Sequence, residues 1–440
     1  MSFQTGLSGL NASAKNLDVI GNNIANSNTV GAKSSRAEFA AVVASAIGPS
    51  GGGASGGSGI GVEISTISQQ FSQGTINITG NNLDCAVNGG GFFELTLKDG
   101  SSAYTRDGQF KLDNKGNLIT NSGASVMGFL PADETGTSYS ATPSPLVVPT
   151  GAPIAAKETS AITAQFNLDA RTPIGTITMP GPPPTTSPIS SPLPAPPFSM
   201  SPPYSTYGTT MNAFDAQGVP VPVKVYFIKT AADAWDMYDG DPTAVASIPP
   251  AVPVVVTGAL LGSLKFDTSG NILTPAAGTT LPINLTSTNP NIGVFVAQLD
   301  VSKATQYGTS FAISDLTQDG YTAGTLTGVS ISEQGIITTR YSNGQSQATG
   351  KIALADFRNV QGLKPVGQGN WVESNSSGQP IHGAPGQGNF GTINSGSLEA
   401  SNVDLTAELV AMMTAQRDYQ SNAQTIKTQD TVLQTLVNLR

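Results

Sequence analysis

Residues 405–440, LTAELVAMMTAQRDYQSNAQTIKTQDTVLQTLVNLR, decide how this chain is organised. Steps of four and three from Leu405 meet Leu409, Met412, Gln416, Tyr419, Ala423, Ile426, Asp430, Leu433, Val437 and Arg440. Most of these are apolar, and the positions between them are mainly Thr, Gln, Asn and charged residues. That is the 3.5-residue period of a helix whose seam faces another helix over several heptads. Neither Pro nor Gly interrupts the run, so a rod ~50 Å long is expected. Ser401 or Asn402 is the expected cap, with Asp404 and Glu408 near the positive end of the dipole. A rod with one apolar stripe needs a partner helix. The start of the chain supplies a candidate: Phe3, Leu7, Leu10, Ala14, Leu17, Gly21 and Ile24 repeat the same alternation before an Asn-rich turn.

Between these two helices nearly everything reads as β or coil. A short helical pattern is expected over 34–47, carrying Phe39, Val42 and Val43, and a Gly/Ser-rich linker over 48–61. Within that linker Gly51–Gly56 satisfies G-x-G-x-x-G. A nucleotide loop requires a strand before it and a helix after it, and the order here is the reverse. From Val62 to Leu130 short alternating segments are broken by turns such as Asp99-Gly100 and Asp113-Asn114-Lys115-Gly116. Eleven prolines between Pro180 and Pro203 predict a polyproline-like surface loop rather than a central strand. A second β region follows, and beyond Leu299 the earlier style of short hairpins resumes.

The expected fold is therefore mainly β with a terminal α-helical coiled coil, and its domains are nested. Residues 1–30 with 397–440 form the terminal coiled-coil domain, and 31–75 with 363–396 a linker region. Residues 76–145 with 299–362 form an inner β domain, and 146–298 an inserted outer β domain.

Composition narrows the function. The chain has 440 residues, 50 Gly, 30 Pro, only 11% charged residues and a net charge of −9. Scattered basic residues on an acidic chain make no phosphate-binding stripe, which argues against nucleic acid. No run reaches the ~18 apolar residues that would span a bilayer, so no membrane insertion is expected. The N-terminus lacks the basic segment and apolar core of a cleavable secretory signal, and by ordinary rules the chain reads as cytosolic. The single histidine, His382, has no partner at metal-ligand spacing. The single cysteine, Cys85, lies in the apolar stretch Leu83–Val87, where an inert buried thiol is expected. Asp233, Asp236, Asp239 and Asp241 lack the register and closing Glu of a calcium loop. The chain reads as a non-enzyme without cofactors, metal sites or catalytic residues.

Several stretches are distinctive. They are Gly6-Leu7-Ser8-Gly9-Leu10-Asn11-Ala12, Asn16–Asn26, Gly80-Asn81-Asn82-Leu83-Asp84, Asn88-Gly89-Gly90-Gly91-Phe92-Phe93 and Gln416–Gln424. Together they resemble the bacterial flagellar axial proteins of the rod and hook type, and the length and inserted middle are similar to the hook members. The resemblance covers both termini and the flanking β halves and is weak from about Pro143 to Asn291. The chain departs from the pattern at Ala25–Lys33, with Val30 and Ala32 where members often carry Pro and Phe.

The resemblance implies a structural subunit that polymerises into a curved helical tube, a universal joint passing torque from rod to filament. The polymerisation seam would comprise Phe3, Leu7, Leu10, Leu17, Ile24, Leu405, Leu409, Met412, Tyr419, Ile426, Leu433 and Val437. Implied partners are further copies of the chain, the distal rod protein, the hook cap protein, the hook-filament junction protein, the hook-length ruler and the flagellar export apparatus. Export through the flagellar type III route, unfolded and without a cleaved signal, would place the protein outside the cell. Phe39 and Val43 are similar to the export-gate element of this family. A distal rod or hook-filament junction subunit is the nearest alternative reading, and a secreted β-rich adhesin is the alternative from a different class.

Overall fold

The structure, a computed structural model, describes residues 3–43, 59–133, 136–151, 153–179, 181, 183–193, 198–201, 206–241, 245–248, 252–255 and 258–438. Two helices bracket the chain: α1, Phe3–Ala25, and α2, Leu405–Asn438. Strands make up most of the structure between them. The chain divides into two compact units: residues 1–152, 327–340 and 346–440 form the first, and 153–326 with 341–345 the second.

In the first unit α1 is followed by an antiparallel hairpin, β1 (Ser35–Val43) and β2 (Gly59–Gln69). The expected short helix over 34–47 is therefore a strand as far as Val43. Phe39 pairs with Ile64 and Ala41 with Val62, so the apolar residues that suggested a helical face find β partners some twenty residues on. β-branched and aromatic side chains follow such non-local partners rather than a local period. The Gly51–Gly56 stretch and the rest of the expected linker up to residue 58 lie outside the described residues.

Beyond the hairpin, the two halves of the chain interleave. Ser346–Ile352 pairs with Ser125–Phe129, and Asn370–Val372 pairs with Ser102–Thr105, so early and late strands share one large sheet. An aromatic core locks them: Phe92, Tyr104, Phe357 and Trp371 are buried with Phe71 packed alongside, mostly edge to face.

The second unit packs two five-stranded sheets. Ala161–Asp169 runs parallel to Val294–Asp300 and Thr305–Tyr307 and antiparallel to Ala312–Gln318. The facing sheet is an antiparallel meander from Thr206–Phe214 to Ile272–Thr274. Alternation along Pro220–Ala231 sends Val221, Val223, Val225 and Phe227 into a core with Phe166, Trp235, Met237, Ile283 and Leu299.

The proline-rich stretch departs from its expected form. Thr176–Met179 is the centre of a three-stranded antiparallel sheet with Thr185–Pro188 and Ser199–Ser201. Ile189 and Phe198 are buried against Ile228 and Tyr238. The central strand lies just before the proline run, and Pro188 sits on the fully exposed edge strand, where a missing N–H costs no ladder bond. Phe227→Ala should cost about 3–5 kcal/mol through the cavity it leaves. Urea unfolding followed by residue-resolved hydrogen exchange should show the loss in the second unit, with protection in the first unchanged.

Candidate assembly surface

The candidate functional surface is built on the terminal helices. Asp404, rather than Ser401 or Asn402, caps α2: its Oδ1 accepts from the amides of Thr406 (2.9 Å) and Ala407 (3.1 Å). This choice frees Asn402 for another task. α1 and α2 pair, as their periods predict, but through a different line of residues. A Cβ at Gly6 would lie 3.2 Å from Ile426 Cγ1, and one at Gly9 3.0 Å from Asn422 Oδ1. Asn422 Nδ2 reaches Ser13 Oγ at 3.4 Å. Gly6, Gly9, Ser13 and Asn23 form a small and polar stripe about a quarter turn from the apolar one on α1. Small side chains let the helix backbones approach closely, and that proximity outweighs the apolar match here.

The apolar line is left largely uncovered. Leu7, Leu405, Leu409, Tyr419 and Leu433 are between 37% and 50% exposed, whereas Leu10, Leu17, Ile24, Met412 and Ile426 are half-buried. Of these, Ile426 lies against Gly6 of α1. The side chains of Phe3, Val43 and Val437 lie outside the described residues. Phe39 stands 42% exposed on β1.

The opposite side of α1 rests on the hairpin. The amide of Val62 donates to Ser8 Oγ at 3.3 Å. The neighbouring Gly61 has φ +145°, and a Cβ there would meet Ser8 Oγ at once. Asn23, 4% exposed, is the three-way junction. Its Nδ2 donates to Ser35 O (2.8 Å) and Glu408 Oε1 (2.9 Å), and its Oδ1 accepts from the Ser35 amide (2.8 Å). One side chain thus ties α1, β1 and α2.

Below the helices a buried polar knot joins the two ends of the chain. Lys33 Nζ lies 2.6 Å from Glu399 Oε1, and Arg106 donates to Glu399 Oε2 at 3.2 Å. All three side chains are 5% exposed or less. The Gly74 amide also donates to Glu399 Oε1 (2.9 Å), Lys33 Nζ donates to Ser72 O (2.9 Å), and Arg106 donates to Gly89 O (2.9 Å). Burial pulls the Lys33 ammonium below its ordinary pKa, and the Glu399 carboxylate acts against that. Asn402 adds a second tie: its Nδ2 donates to Gln70 O (2.7 Å), and its Oδ1 accepts from the Ser34 amide (2.7 Å). The sequence offers one clue to the knot, since Lys33 and Glu399 lie just inside the two helices at nearly matching distances.

The remaining sequence candidates lie elsewhere. His382 Nδ1 is 2.9 Å from Glu94 Oε2, within the β structure. Cys85 is fully buried, and burial raises its thiol pKa to about 12. Asp236 accepts from Ser191 and Ser263 at 2.8 and 2.7 Å, and Asp239 accepts from the Ala259 amide. Among the described residues, no group of three or more His, Cys, Asp or Glu side chains could hold a metal ion.

Glu399→Ala would leave Lys33 and Arg106 buried without a carboxylate and should cost about 3–5 kcal/mol. Asn23→Ala strands the Ser35 backbone groups and should cost about 1–3 kcal/mol. Both losses are read by urea denaturation of the full chain. Burial also raises the Glu94 carboxyl above its ordinary value of 4.5, with His382 opposing the shift. The folded chain then holds a proton that the unfolded chain has released. Glu94 therefore withdraws stability as pH rises from its unfolded pKa through the raised folded value. Glu94→Gln should flatten that decline, measured as unfolding free energy against pH above about 4.5.

Four family models match the chain. They are the flagella basal body rod protein at residues 3–33, the flagellar hook protein FlgE/F/G D1 domain at 86–165, the flagellar basal body protein FlaE D2 domain at 184–321, and the flagellar basal body rod FlgEFG protein C-terminal region at 394–439. The chain is 40% identical over 449 residues to the flagellar hook protein FlgE of Salmonella typhimurium, with all of both chains covered. It is 39% identical over 451 residues to that of Escherichia coli K12, again with full coverage. The crystal structure of Helicobacter pylori flagellar hook protein FlgE2 shares the fold, with a TM-score of 0.51 at 16% identity over 74% of this chain and 100% of the other. With full-length relatives at this level of identity, the chain belongs to the flagellar hook protein family.

Proposed function

We propose that copies of this chain polymerise through the apolar stripe left open on α1 and α2, forming a curved tube that passes torque from rod to filament as a universal joint. The observation that carries this reading is the stripe itself. Leu405, Leu409, Tyr419 and Leu433 remain exposed although a partner helix lies beside them in the same molecule. Exposed apolar stripes on paired helices mark association surfaces. Leu7, Leu10, Leu17 and Ile24 extend the stripe on α1, and Phe3, Met412, Ile426 and Val437 complete the proposed seam.

The four nested layers follow the same logic. Residues 1–30 with 397–440 form the inner wall, and 31–75 with 363–396 connect it outward. Of the remaining two layers, expected at 76–145 with 299–362 and at 146–298, the second takes in residues 299–326 as well, since Thr305–Tyr307 and Ala312–Gln318 pair with Ala161–Asp169. The Glu399 knot and the Asn23 junction tie the helices to the β structure, so load on one reaches the other. With 11% charged residues, contacts between outer layers can slide without breaking many fixed ion pairs.

The proposed partners are further copies, the distal rod protein, the hook cap and hook-filament junction proteins, the length ruler and the flagellar export apparatus. The chain leaves the cell unfolded by the type III route without a cleaved signal. Phe39 and Val43 serve as the export-gate element, a role that does not depend on their strand pairing in the folded molecule. The chain does no catalysis.

Electron microscopy of the purified protein under polymerising conditions tests the reading. Curved tubes support it, straight tubes would favour a rod subunit, and failure to form tubes would overturn it. Each buried Leu contributes about 1.5–3 kcal/mol. The Leu405→Asp/Leu409→Asp variant should therefore raise the critical concentration at least ~100-fold. Deletion of residues 404–440 should abolish tubes.

A further inference from the structure

Beside the helix junction the first unit carries a cleft of about 690 Å³. Val19, Ile67, Phe71 and Trp371 give it an apolar lining, and Asn26 and Gln361 are among the amides at its margin. Lys33, at its edge, is engaged with Glu399, and the Lys15–Asp18 pair at 3.4 Å is self-satisfied. The cleft therefore mixes apolar side chains, of which Ile67 is the most exposed, with polar ones that carry little free charge.

Seven residues beyond Phe71, Ile78 has the complementary form. It is 89% exposed, more than any other large hydrophobic among the described residues. Its backbone is held fast: Ile78 pairs with Ser397, and the amides of Thr79 and Gly80 donate to Gly396 O at 2.8 and 3.1 Å. Thr79 and Asn81 both donate to Asp84, at 2.7 and 3.1 Å. An isoleucine pinned in this way has little backbone freedom left to lose on binding, which is the preorganisation of an interface anchor. Its flanking residues Asn77, Thr79 and Asn81 are uncharged hydrogen-bonding groups, like those of the cleft margin.

We infer that the cleft of one subunit receives the Ile78 knob of a second copy. The inference rests on the polymerisation reading above and specifies one of its contacts. A helical polymer needs heterologous contacts, in which two different patches of the same molecule meet. Phe71 of the cleft lies seven residues from Ile78, so at most about 25 Å separates the two patches on one subunit. Patches that close on every copy can meet between neighbouring copies. The knob's neighbours, Asp84, Asn82 and Ser395–Ser397, share no residue with the cleft lining.

The test uses the full chain assembled into tubes. The double variants Ile78→Cys/Ile67→Cys and Ile78→Cys/Gln361→Cys are oxidised and run without reductant; the buried native Cys85 provides no competing thiol. The expected result is a ladder of dimers, trimers and higher species from at least one double variant and no disulfide-linked species from the single ones. Tubes without a ladder from either double variant overturn the knob-and-cleft contact and leave the polymerisation reading standing. A disulfide dimer from Ile78→Cys alone overturns it too, because like patches would then meet. If the wild type forms no tubes, the reading beneath the inference fails and the inference fails with it. Ile78→Asp supplies an independent measurement. It should raise the critical concentration at least ~10-fold while the monomer's thermal unfolding is unchanged, because the side chain is already in water. An unchanged critical concentration overturns the contact.

Discussion

The Glu399 carboxylate is the point on which the first unit depends. It lies out of water between two cations from distant parts of the chain, Lys33 and Arg106, and takes a further hydrogen bond from the Gly74 amide. A buried carboxylate is tolerable only when its acceptor positions are well filled, and here they are filled from three separate segments of the chain. The geometry therefore specifies which pieces of backbone converge below the helices. Exchange of any one partner would leave a charge stranded.

From that knot the helices rise in an arrangement that splits two properties usually found together. Helix contact is carried by Gly6, Gly9 and Ser13 against Asn422 and Ile426, a narrow and weakly apolar line. Leu7, Leu405, Leu409, Tyr419 and Leu433 of the apolar line remain exposed. A subunit that paired its helices through their best hydrophobic faces would have nothing left to offer a neighbour. In the assembly proposed above, close backbone packing within the molecule would leave the larger hydrophobic gain for association between molecules. The Asn23 junction keeps this division in place by fixing α1 to the hairpin and to α2 with a single amide.

The second unit follows a plainer logic. Two sheets bury alternating apolar residues around Trp235 and Phe227, and the proline-rich stretch adds a small sheet through Ile189 and Phe198. This region, where the sequence alone carries little resemblance and the D2 domain model matches residues 184–321, has a self-contained core. Such a core can change without disturbing the knot, since each unit buries its own apolar surface.

Read alone, the sequence determined the two terminal helices, the β character between them, the turns at Asp99-Gly100 and Asp113–Gly116 and the family, because these depend on local period, turn chemistry and distinctive short stretches. Periodicity also found the apolar stripe on each helix. It could not say which face α1 would turn toward α2, since backbone proximity at Gly6 and Gly9 has no hydrophobic signature. Nor could it assign Phe39 to a strand, because the deciding partners, Val62 and Ile64, sit across a long connection. Lys33, Arg106, Glu399 and Asn402 are scattered over nearly the whole chain, and the matching offsets of Lys33 and Glu399 from the two helices are a slight hint of their meeting. Only folding brings them within hydrogen-bond reach, where burial makes their mutual satisfaction compulsory.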